Sequence, residues 1–139
     1  MGRDETRRVV EGYLEGHSEE WLAEGVELHD ATRPEGVRGR RQVTSLIHRF
    51  YAEVFGGATA DALRLTLDED RAVAEWILRG RHVGSLVGET PTGRSVTLPM
   101  ACAYDVAGGE IVRLRLYYDG TSLLAQLAAV PIEVAQPGV

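Results

Sequence analysis

Two side chains in this sequence are the best candidates for proton transfer, the carboxyl group of Asp119 and the imidazole of His82. Asp119 stands where the last predicted strand ends and a short closing helix begins. A carboxyl group lined by apolar side chains has a raised pKa, which brings it into the range useful for acid and base catalysis. His82 alternates with Trp76 and Leu78, so it falls on the apolar face of a predicted strand. Its ring could there hydrogen-bond a substrate oxygen or set the protonation state of Asp119.

Each of these candidates also has a purely structural interpretation. Asp119 directly precedes a Gly-Thr-Ser sequence, a context typical of a helix N-cap. Strict alternation also places Asp119 on the face of Arg113 and Tyr117 rather than on that of the apolar row. A bulge or a turn at the strand end would be needed to bring it into a core. A buried His82 could simply be satisfied by the backbone.

His29 and several aromatic residues complete the set of candidate site residues. His29 is out of phase with Val26 and Leu28, so a solvated strand face is the alternative to a role in substrate binding. A flat hydrophobic ligand could be bound by aromatic residues that could equally be plain core, namely Tyr13, Phe50, Tyr51, Trp76 and Tyr104. His29, His82 and a carboxylate together would match the composition of a known type of metal site. Nothing in their spacing indicates such a site, so we expect no metal or cofactor.

The composition excludes several other chemistries. All 15 basic residues are arginines, and neither lysine nor asparagine occurs, so Schiff-base catalysis and a Walker-A phosphate loop are excluded. A net charge of −6 argues against a nucleic-acid partner. The single cysteine, Cys102, cannot form an internal disulfide and is expected to be an inert buried thiol in a reducing compartment. No apolar run suits a signal peptide or a membrane span, so we expect a cytoplasmic protein without membrane contact.

Residue periodicity predicts the elements that would position these groups. Apolar residues at helical spacing predict helices at residues 4–16, 40–55 and 122–129, with a short one around Trp21. Gly56-Gly57 is expected to end the second of these helices. Period-two patterns predict strands at residues 26–29, 62–67, 72–83, 95–106 and 110–118. A Gly-, Thr- and Pro-rich loop between the third and fourth strands is a plausible lip over a pocket.

Helices followed by a run of strands indicate an α+β fold with the helices packed on one face of a curved sheet. We expect a single domain over residues 1–130, followed by a loosely held tail at 131–139 that contains two prolines and a glycine. Such a sheet can close into a cone around a pocket, although the pattern alone does not require it.

Three segments carry a family resemblance. The stretch GRHVGSLVGETPTGR (80–94) resembles a Gly-Thr-His-x-Gly…Gly-x-x-Pro-Thr-Gly-Arg motif of the SnoaL-like polyketide cyclases and related ester cyclases. The stretch GGEIVRLRLYYDGTSLLAQLA (108–128) is similar to that family's C-terminal motif, and VELHDATRPEGVRGRRQV (26–43) more weakly to its segment before the long helix. The resemblance extends over residues 4–130. It implies an NTF2-like, ketosteroid isomerase-like cone, in which a curved antiparallel or mixed sheet wraps around N-terminal helices and a central pocket.

The resemblance also implies a function. It indicates a cofactor-independent bacterial enzyme of secondary metabolism that closes a ring in a small hydrophobic, polyketide-derived ester by an intramolecular aldol reaction. Asp119 matches the family's acid/base position, and His82, with Tyr13 or His29, would polarise substrate carbonyls. The family further implies a homodimer through the outer face of the sheet.

The sequence departs from the family pattern in places that leave the reaction open. Residues 110–115 read Glu-Ile-Val-Arg-Leu-Arg where many relatives have Lys-Ile-x-Glu-x-Trp. An isomerase, a dehydratase or an epoxide-opening hydrolase on the same scaffold is therefore an alternative. A non-catalytic ligand-binding or interaction domain is another, because this fold hosts many functions.

Overall fold

The computed structural model describes residues 2–85 and 90–128. Within these residues, three α-helices and six strands follow one another in an α+β arrangement. In chain order they are α1 (Arg3–Gly16), a 3-10 turn (Glu19–Trp21), β1 (Leu22–Asp30), β2 (Val37–Arg38), α2 (Arg40–Arg49), a π-helical turn (Phe50–Val54), β3 (Phe55–Leu67), β4 (Arg71–His82), β5 (Ser95–Ala107), β6 (Glu110–Tyr118) and α3 (Gly120–Leu127). The predicted tail at 131–139 lies outside the described residues.

The six strands form one mixed sheet in the order β2-β1-β6-β5-β4-β3. Strands β1 and β6 run parallel, and every other neighbouring pair is antiparallel. The sheet is not closed. The predicted α+β fold with a mixed sheet is therefore confirmed. The parallel pair places the C-terminal ends of β1 and β6 side by side, although they lie far apart in the sequence.

Helix α1 packs against the sheet with the face that its sequence makes apolar. Val9, Val10 and Tyr13 recur at helical spacing and are all buried. The hydroxyl of Thr6 on the same face donates a hydrogen bond of 2.6 Å to the backbone oxygen of Glu69, which ties the helix to the turn between β3 and β4. Helix α1 therefore has a fixed position over the sheet, and its C-terminal half carries Tyr13 towards the molecule's interior.

The second predicted helix ends earlier than its apolar spacing suggested. Helix α2 stops at Arg49 and widens into a π-helical turn, after which β3 begins directly at Phe55. The expectation that Gly56-Gly57 ends a helix and that the next strand starts at residue 62 is wrong. The two glycines belong to β3, where Gly57 has a φ of +64° beside a register shift, so they form a bulge rather than a terminator.

Strands β4 and β5 follow the period-two pattern of their sequences. Alternate residues of both strands are buried, and their neighbours on the other face are more exposed. On β4 the buried row includes Trp76 and His82, and on β5 it includes Cys102 and Tyr104. The described residues contain no helix long and apolar enough to cross a membrane.

Candidate active site

A deep cavity of about 480 Å³ lies between the inner face of the sheet and helices α1 and α2. This volume is typical of a site for a small organic molecule. Apolar and aromatic side chains form most of the wall, while the exposed side chains of Arg33, Glu35, Leu46 and Leu63 mark the mouth. The cavity is therefore a concave, largely apolar site with its charged residues at the entrance.

The five aromatic residues proposed for ligand binding all line this cavity. They come from α1, the π-helical turn, β4 and β5, and they are Tyr13, Phe50, Tyr51, Trp76 and Tyr104. Their ring contacts are edge-to-face, as between Tyr13 and Tyr104, whose centroids lie 6.2 Å apart. The structure thus brings together residues that are spread from position 13 to position 104 of the sequence. Their role in binding a substrate stays a prediction.

At the mouth, a carboxylate and a phenol form the closest polar pair of the cavity wall. The hydroxyl of Tyr118 donates a hydrogen bond of 2.7 Å to Oδ2 of Asp30. Thr32 donates to Oδ1 of the same carboxylate from its hydroxyl at 2.6 Å and from its backbone N–H at 2.8 Å. The Thr32 hydroxyl also lies 3.1 Å from the Tyr118 oxygen. Both Asp30 oxygens are therefore held in a fixed orientation at the cavity entrance.

Sheet pairing explains why these residues meet. Asp30 ends β1 and Tyr118 ends β6, and the parallel pairing of the two strands sets Asp30 opposite Leu116. Tyr118 is in phase with Leu114 and Leu116, which also face the cavity. Burial raises the pKa of Tyr118, and the neighbouring Asp30 acts in the same direction. The phenol therefore stays protonated at neutral pH and can donate a hydrogen bond or a proton.

The buried end of the cavity gathers three phenols and a thiol. Burial is the largest cause of the raised pKa of each one. Tyr51 rises to about 12, although the side chain of Trp76 acts in the opposite direction. The thiol of Cys102 also rises to about 12. All four groups are therefore neutral at physiological pH, and this end of the cavity offers polar hydrogens without charge.

His17 also belongs to the cavity wall. It caps the C-terminus of α1 in a left-handed conformation with a φ of +52°. Its ring stacks on Tyr51 with centroids 5.3 Å apart and meets Tyr13 edge-on at 5.1 Å. Burial lowers the pKa of His17, and the nearby His48 lowers it further. A neutral imidazole thus faces the cavity at physiological pH.

Asp119 is the N-cap of α3, as its structural interpretation predicted. Its side chain accepts a hydrogen bond of 3.1 Å from the backbone N–H of Ser122 and caps α3. The residue is exposed and is absent from the described cavity wall. No bulge at the end of β6 turns it inwards, so it remains on the face of Arg113 and Tyr117. Its role as the acid or base stays a prediction.

His82 is fully buried, as its alternation with Trp76 indicated. However, it does not line the described cavity wall, and its ring instead contacts the segment that precedes β5. Its Nδ1 accepts a hydrogen bond of 3.2 Å from the backbone N–H of Thr92 and lies 3.1 Å from that residue's hydroxyl. Its own backbone pairs with Gly93 and Arg94. The ring therefore joins the end of β4 to the segment that leads into β5, and a part in catalysis stays a prediction.

His29 lies on the solvated face that its phase predicted. Its side chain is 45% exposed, and Nε2 lies 3.5 Å from a carboxylate oxygen of Glu27. It does not contribute to the described wall of the cavity. Within residues 2–85 and 90–128, no three His, Cys, Asp or Glu side chains are grouped so that they could hold a metal ion.

Sequence reasoning missed Asp30, Tyr118 and His17. A signal for the first two existed, because Asp30 alternates with Val26 and Leu28, and Tyr118 continues the apolar row of β6. For His17 no local signal could have been used, since its place depends on how the end of α1 meets the π-helical turn.

Comparison with known proteins places this geometry in a family context. The model of the SnoaL-like polyketide cyclase family matches residues 8–127. Among solved structures, a candidate SnoaL-like polyketide cyclase from Jannaschia sp. CCS1 is 18% identical with a TM-score of 0.81, over 93% of this chain and 95% of that one. AclR, a candidate hydroxylase from Streptomyces galilaeus, is 15% identical with a TM-score of 0.74, over 93% and 99% of the two chains.

A third solved structure is a protein from Catenulispora acidiphila with a ketosteroid isomerase-like fold, in complex with trimethylamine. It is 20% identical with a TM-score of 0.68, over 86% of this chain and 92% of that one. No curated protein matches the sequence. At these identities the solved structures show a shared fold and do not specify a reaction.

Proposed function

The chain belongs to the SnoaL-like polyketide cyclase family, and we propose that it is a cofactor-independent enzyme that closes a ring in a small polyketide-derived ester by an intramolecular aldol reaction. The observation that supports this most strongly is the Asp30–Tyr118 pair at the mouth of a deep aromatic cavity. An aldol reaction needs a base for an acidic C–H and an acid for a developing alkoxide, both within reach of one bound molecule. The apolar wall would position the substrate and limit the access of water.

The proposed proton transfers balance without any further reactant. Asp30 removes a proton from the activated methylene of the substrate, and the resulting enolate carbon bonds to a carbonyl carbon of the same molecule. The new alkoxide takes the proton of the Tyr118 phenol. The proton on Asp30 then returns to Tyr118 along their 2.7 Å hydrogen bond. Both groups are restored, and the product is an isomer of the substrate.

Asp119 is the alternative base in this proposal, because it matches the acid/base position of the family. It follows Tyr118 directly, but its carboxylate is engaged by the N–H of Ser122. Acting on a substrate would require it to leave this cap and turn towards the mouth. In this alternative His82 would polarise a carbonyl, which would require its ring to reach the cavity.

The two bases are separated by comparing Asp30→Asn with Asp119→Asn. The substrate is an aryl ketone with a tethered β-keto ester, and ring closure is followed by chromatography of the isomeric product. We expect Asp30→Asn to lower kcat by about 100-fold and Asp119→Asn to change it little, because asparagine is also a good N-cap. Asp61→Asn is the matched control, since this carboxylate pairs with Arg79 outside the described cavity wall.

The same experiment distinguishes the remaining functions. Loss of turnover in Asp119→Asn alone would assign the base to Asp119 and overturn the Asp30–Tyr118 mechanism. Isomerisation, dehydration or epoxide opening would use the same acid and base and would be identified by the product formed. A non-catalytic ligand-binding domain is the second candidate function, supported by the location of Asp119 and His82 outside the described cavity wall. It would show ligand binding without turnover in every variant and in the wild type.

We further propose a cytoplasmic homodimer that associates through the outer face of the sheet. Arg113 and Tyr117 are exposed on that face, and Tyr117 is 47% exposed although it is aromatic. Light scattering at micromolar concentration should give twice the 15.2 kDa of one chain. A mass of a single chain would contradict the dimer.

A further inference from the structure

The proposed reaction creates a negative charge on the substrate at the mouth of the cavity. When Asp30 takes the proton of the activated methylene, the negative charge passes from its carboxylate to the enolate oxygen of the substrate. Tyr118 gives up its proton only afterwards, to the alkoxide of the closed ring. An oxyanion beside a largely apolar cavity is costly unless a cation or a hydrogen-bond donor faces it. A positive group at the mouth would therefore lower the barrier to the first proton transfer.

Arg33 is the positive group of this mouth. It is the one arginine in the described cavity wall, and the chain contains no lysine. Its backbone N–H donates a hydrogen bond of 2.9 Å to the backbone oxygen of Asp30, so both residues belong to one turn at the end of β1. His17 also lines the wall, but burial lowers its pKa and leaves the imidazole neutral. A permanent cation is thus placed in the same turn as the proposed base.

The guanidinium of Arg33 is not neutralised by a described carboxylate. The ion pairs within residues 2–85 and 90–128 do not include Arg33, although Asp30 and Glu35 line the same wall. The two oxygens of Asp30 instead accept hydrogen bonds from Thr32 and Tyr118. Burial raises the pKa of Tyr118, while the charge of Arg33 acts in the opposite direction, which places the guanidinium near this pair. Its charge is therefore available to a molecule bound at the mouth.

We propose that Arg33 binds the enolate oxygen formed when Asp30 deprotonates the substrate, and so acts as a catalytic residue in ring closure. This role rests on the proposed function. The guanidinium carries several N–H donors and stays protonated throughout, so it stabilises the oxyanion without exchanging a proton. Asp30 is neutral at that stage, and its own charge no longer repels the enolate. The role of Arg33 predicts a 1,3-dicarbonyl substrate whose enolate oxygen lies at the mouth, with its apolar rings inside the cavity.

A stable enolate tests this role without any turnover. 4-Hydroxycoumarin is an enolate anion at neutral pH, whereas 4-methoxycoumarin has the same rings and no charge. Asp30→Asn provides the background, because its side chain is uncharged, as Asp30 is after the proton transfer. By isothermal titration at neutral pH, Asp30→Asn should bind the enolate more tightly than the neutral ether, and the added change Arg33→Gln should reduce this preference by about 10-fold. The affinity for 4-methoxycoumarin should stay nearly unchanged.

Two matched variants separate the guanidinium of Arg33 from the overall charge of the protein. Arg41→Gln, in the same Asp30→Asn background, removes an equal charge from an exposed arginine outside the described cavity wall, and it should keep the enolate preference. Arg33→Lys keeps a cation at the mouth and should retain most of the preference. An equal loss in Arg41→Gln would show a long-range effect of net charge and would overturn the assignment to Arg33. An unchanged preference in Arg33→Gln would overturn it as well.

The kinetics of ring closure provide a second test. In the otherwise wild-type chain, Arg33→Gln should lower kcat by about 10-fold with little change in KM, because the enolate exists only after the proton transfer. Arg33→Lys should recover most of the rate. If KM rose while kcat was retained, Arg33 would bind a charged group that the substrate already carries, and the proposal would be wrong.

Failure of the enolate site and failure of the proposed function would be seen in different measurements. If the wild type closes rings but Arg33→Gln leaves the enolate preference intact, only the role of Arg33 is overturned. If Arg33→Gln removes the preference and neither the wild type nor any variant turns over the substrate, the enolate site is supported and the proposed reaction is wrong. Thermal unfolding of Arg33→Gln should match that of the wild type, because Arg33 is exposed and glutamine keeps the backbone N–H that bonds to Asp30.

Discussion

The phenol of Tyr118 donates a 2.7 Å hydrogen bond to Oδ2 of Asp30, and this contact joins the C-terminal ends of two parallel strands. The two residues are 88 positions apart in the sequence. Their pairing is set by the backbone register of β1 and β6, and Thr32 fixes the second carboxylate oxygen. A site built on strand ends in this way is held more firmly than one built on loops alone.

The hydroxyl of Tyr118 is expected to matter for chemistry and little for substrate affinity. In the Tyr118→Phe variant the ring still fills the wall, but the proton donor for the developing alkoxide is lost. We expect kcat for ring closure to fall by about 100-fold with a small change in KM. Steady-state kinetics check this, with Tyr117→Phe as the control. If KM instead rose by about 100-fold while kcat stayed unchanged, the hydroxyl would only bind substrate.

The thiol of Cys102 is expected to be inert in the folded protein. Its pKa is raised to about 12 by burial, so the reactive thiolate is scarce at pH 8. We expect labelling by iodoacetamide to be at least about 100-fold slower in the native protein than in guanidinium chloride. Mass spectrometry after timed quenching measures both rates. Rapid native labelling would show that solvent reaches the buried end of the cavity and leaves the thiol ionisable there.

Local periodicity was enough to locate strands β4, β5 and β6 and the faces they bury. The bounds of β6, residues 110–118, agree with the prediction, and His82 is buried as its phase with Trp76 indicated. These features depend only on neighbours within one strand, which a sequence pattern records directly. The aromatic residues of the cavity could be selected for the same reason.

Alternation turns Asp30 and Tyr118 each towards the inner face of its strand, but it cannot show that the two residues meet, because that depends on contacts between distant segments. Nothing local indicates that β1 pairs in parallel with β6, and this pairing alone brings Asp30 to Tyr118. The family resemblance selects Asp119 as the acid or base. Strand alternation instead turns Tyr118, the residue before it, towards the cavity. A shift of one position reverses the face of a strand residue, and the structure follows the alternation.

His82 is expected to hold the segment before β5 through its Nδ1 atom. Asparagine at position 82 can offer an oxygen in nearly the same place, whereas leucine cannot. We expect His82→Asn to keep the amide of Thr92 protected from hydrogen exchange and His82→Leu to expose it, because the N–H of Thr92 donates to this ring. If His82 were instead catalytic, both variants would lose turnover equally, whatever their exchange protection.

Asp105 is expected to stabilise the outer face of the sheet in a pH-dependent way. Two hydrogen bonds from Arg115, of 2.8 and 3.1 Å, are the largest cause of its lowered pKa, and Arg71 and Arg113 add to it. A lowered folded-state pKa stabilises the fold above the unfolded value of 3.8 and ceases to do so as the pH falls through the lower folded value. Asp105→Asn should therefore lower the free energy of unfolding by about 1 kcal/mol at pH 7.

Urea titrations at several pH values measure this difference. The difference in the free energy of unfolding between the wild type and Asp105→Asn should become smaller as the pH falls below about 4. Asp61→Asn, which loses a single exposed ion pair with Arg79, should show a smaller gap. A gap for Asp105→Asn that is constant from pH 7 to pH 3 would show that the charge of this carboxylate does not contribute.

His17 is expected to make the fold sensitive to mild acid. Burial lowers its pKa below the ordinary 6.5, and His48 lowers it further. Between the folded value and 6.5 the unfolded chain binds more protons, so stability is complete above pH 6.5 and declines as the pH falls through that window. His17→Asn removes the imidazole and keeps a residue that tolerates the left-handed backbone, so its stability should fall less between pH 7.5 and 5.5.

Proton NMR titration of the four histidines tests the cause directly. The resonance of His17 should titrate below pH 6.5, and His48→Gln should move its midpoint upwards because one repulsive charge is removed. A His17 midpoint at or above 6.5 would mean that the ring is hydrated and that its stacking on Tyr51 does not bury it. In that case the acid sensitivity of the fold would have to come from other groups.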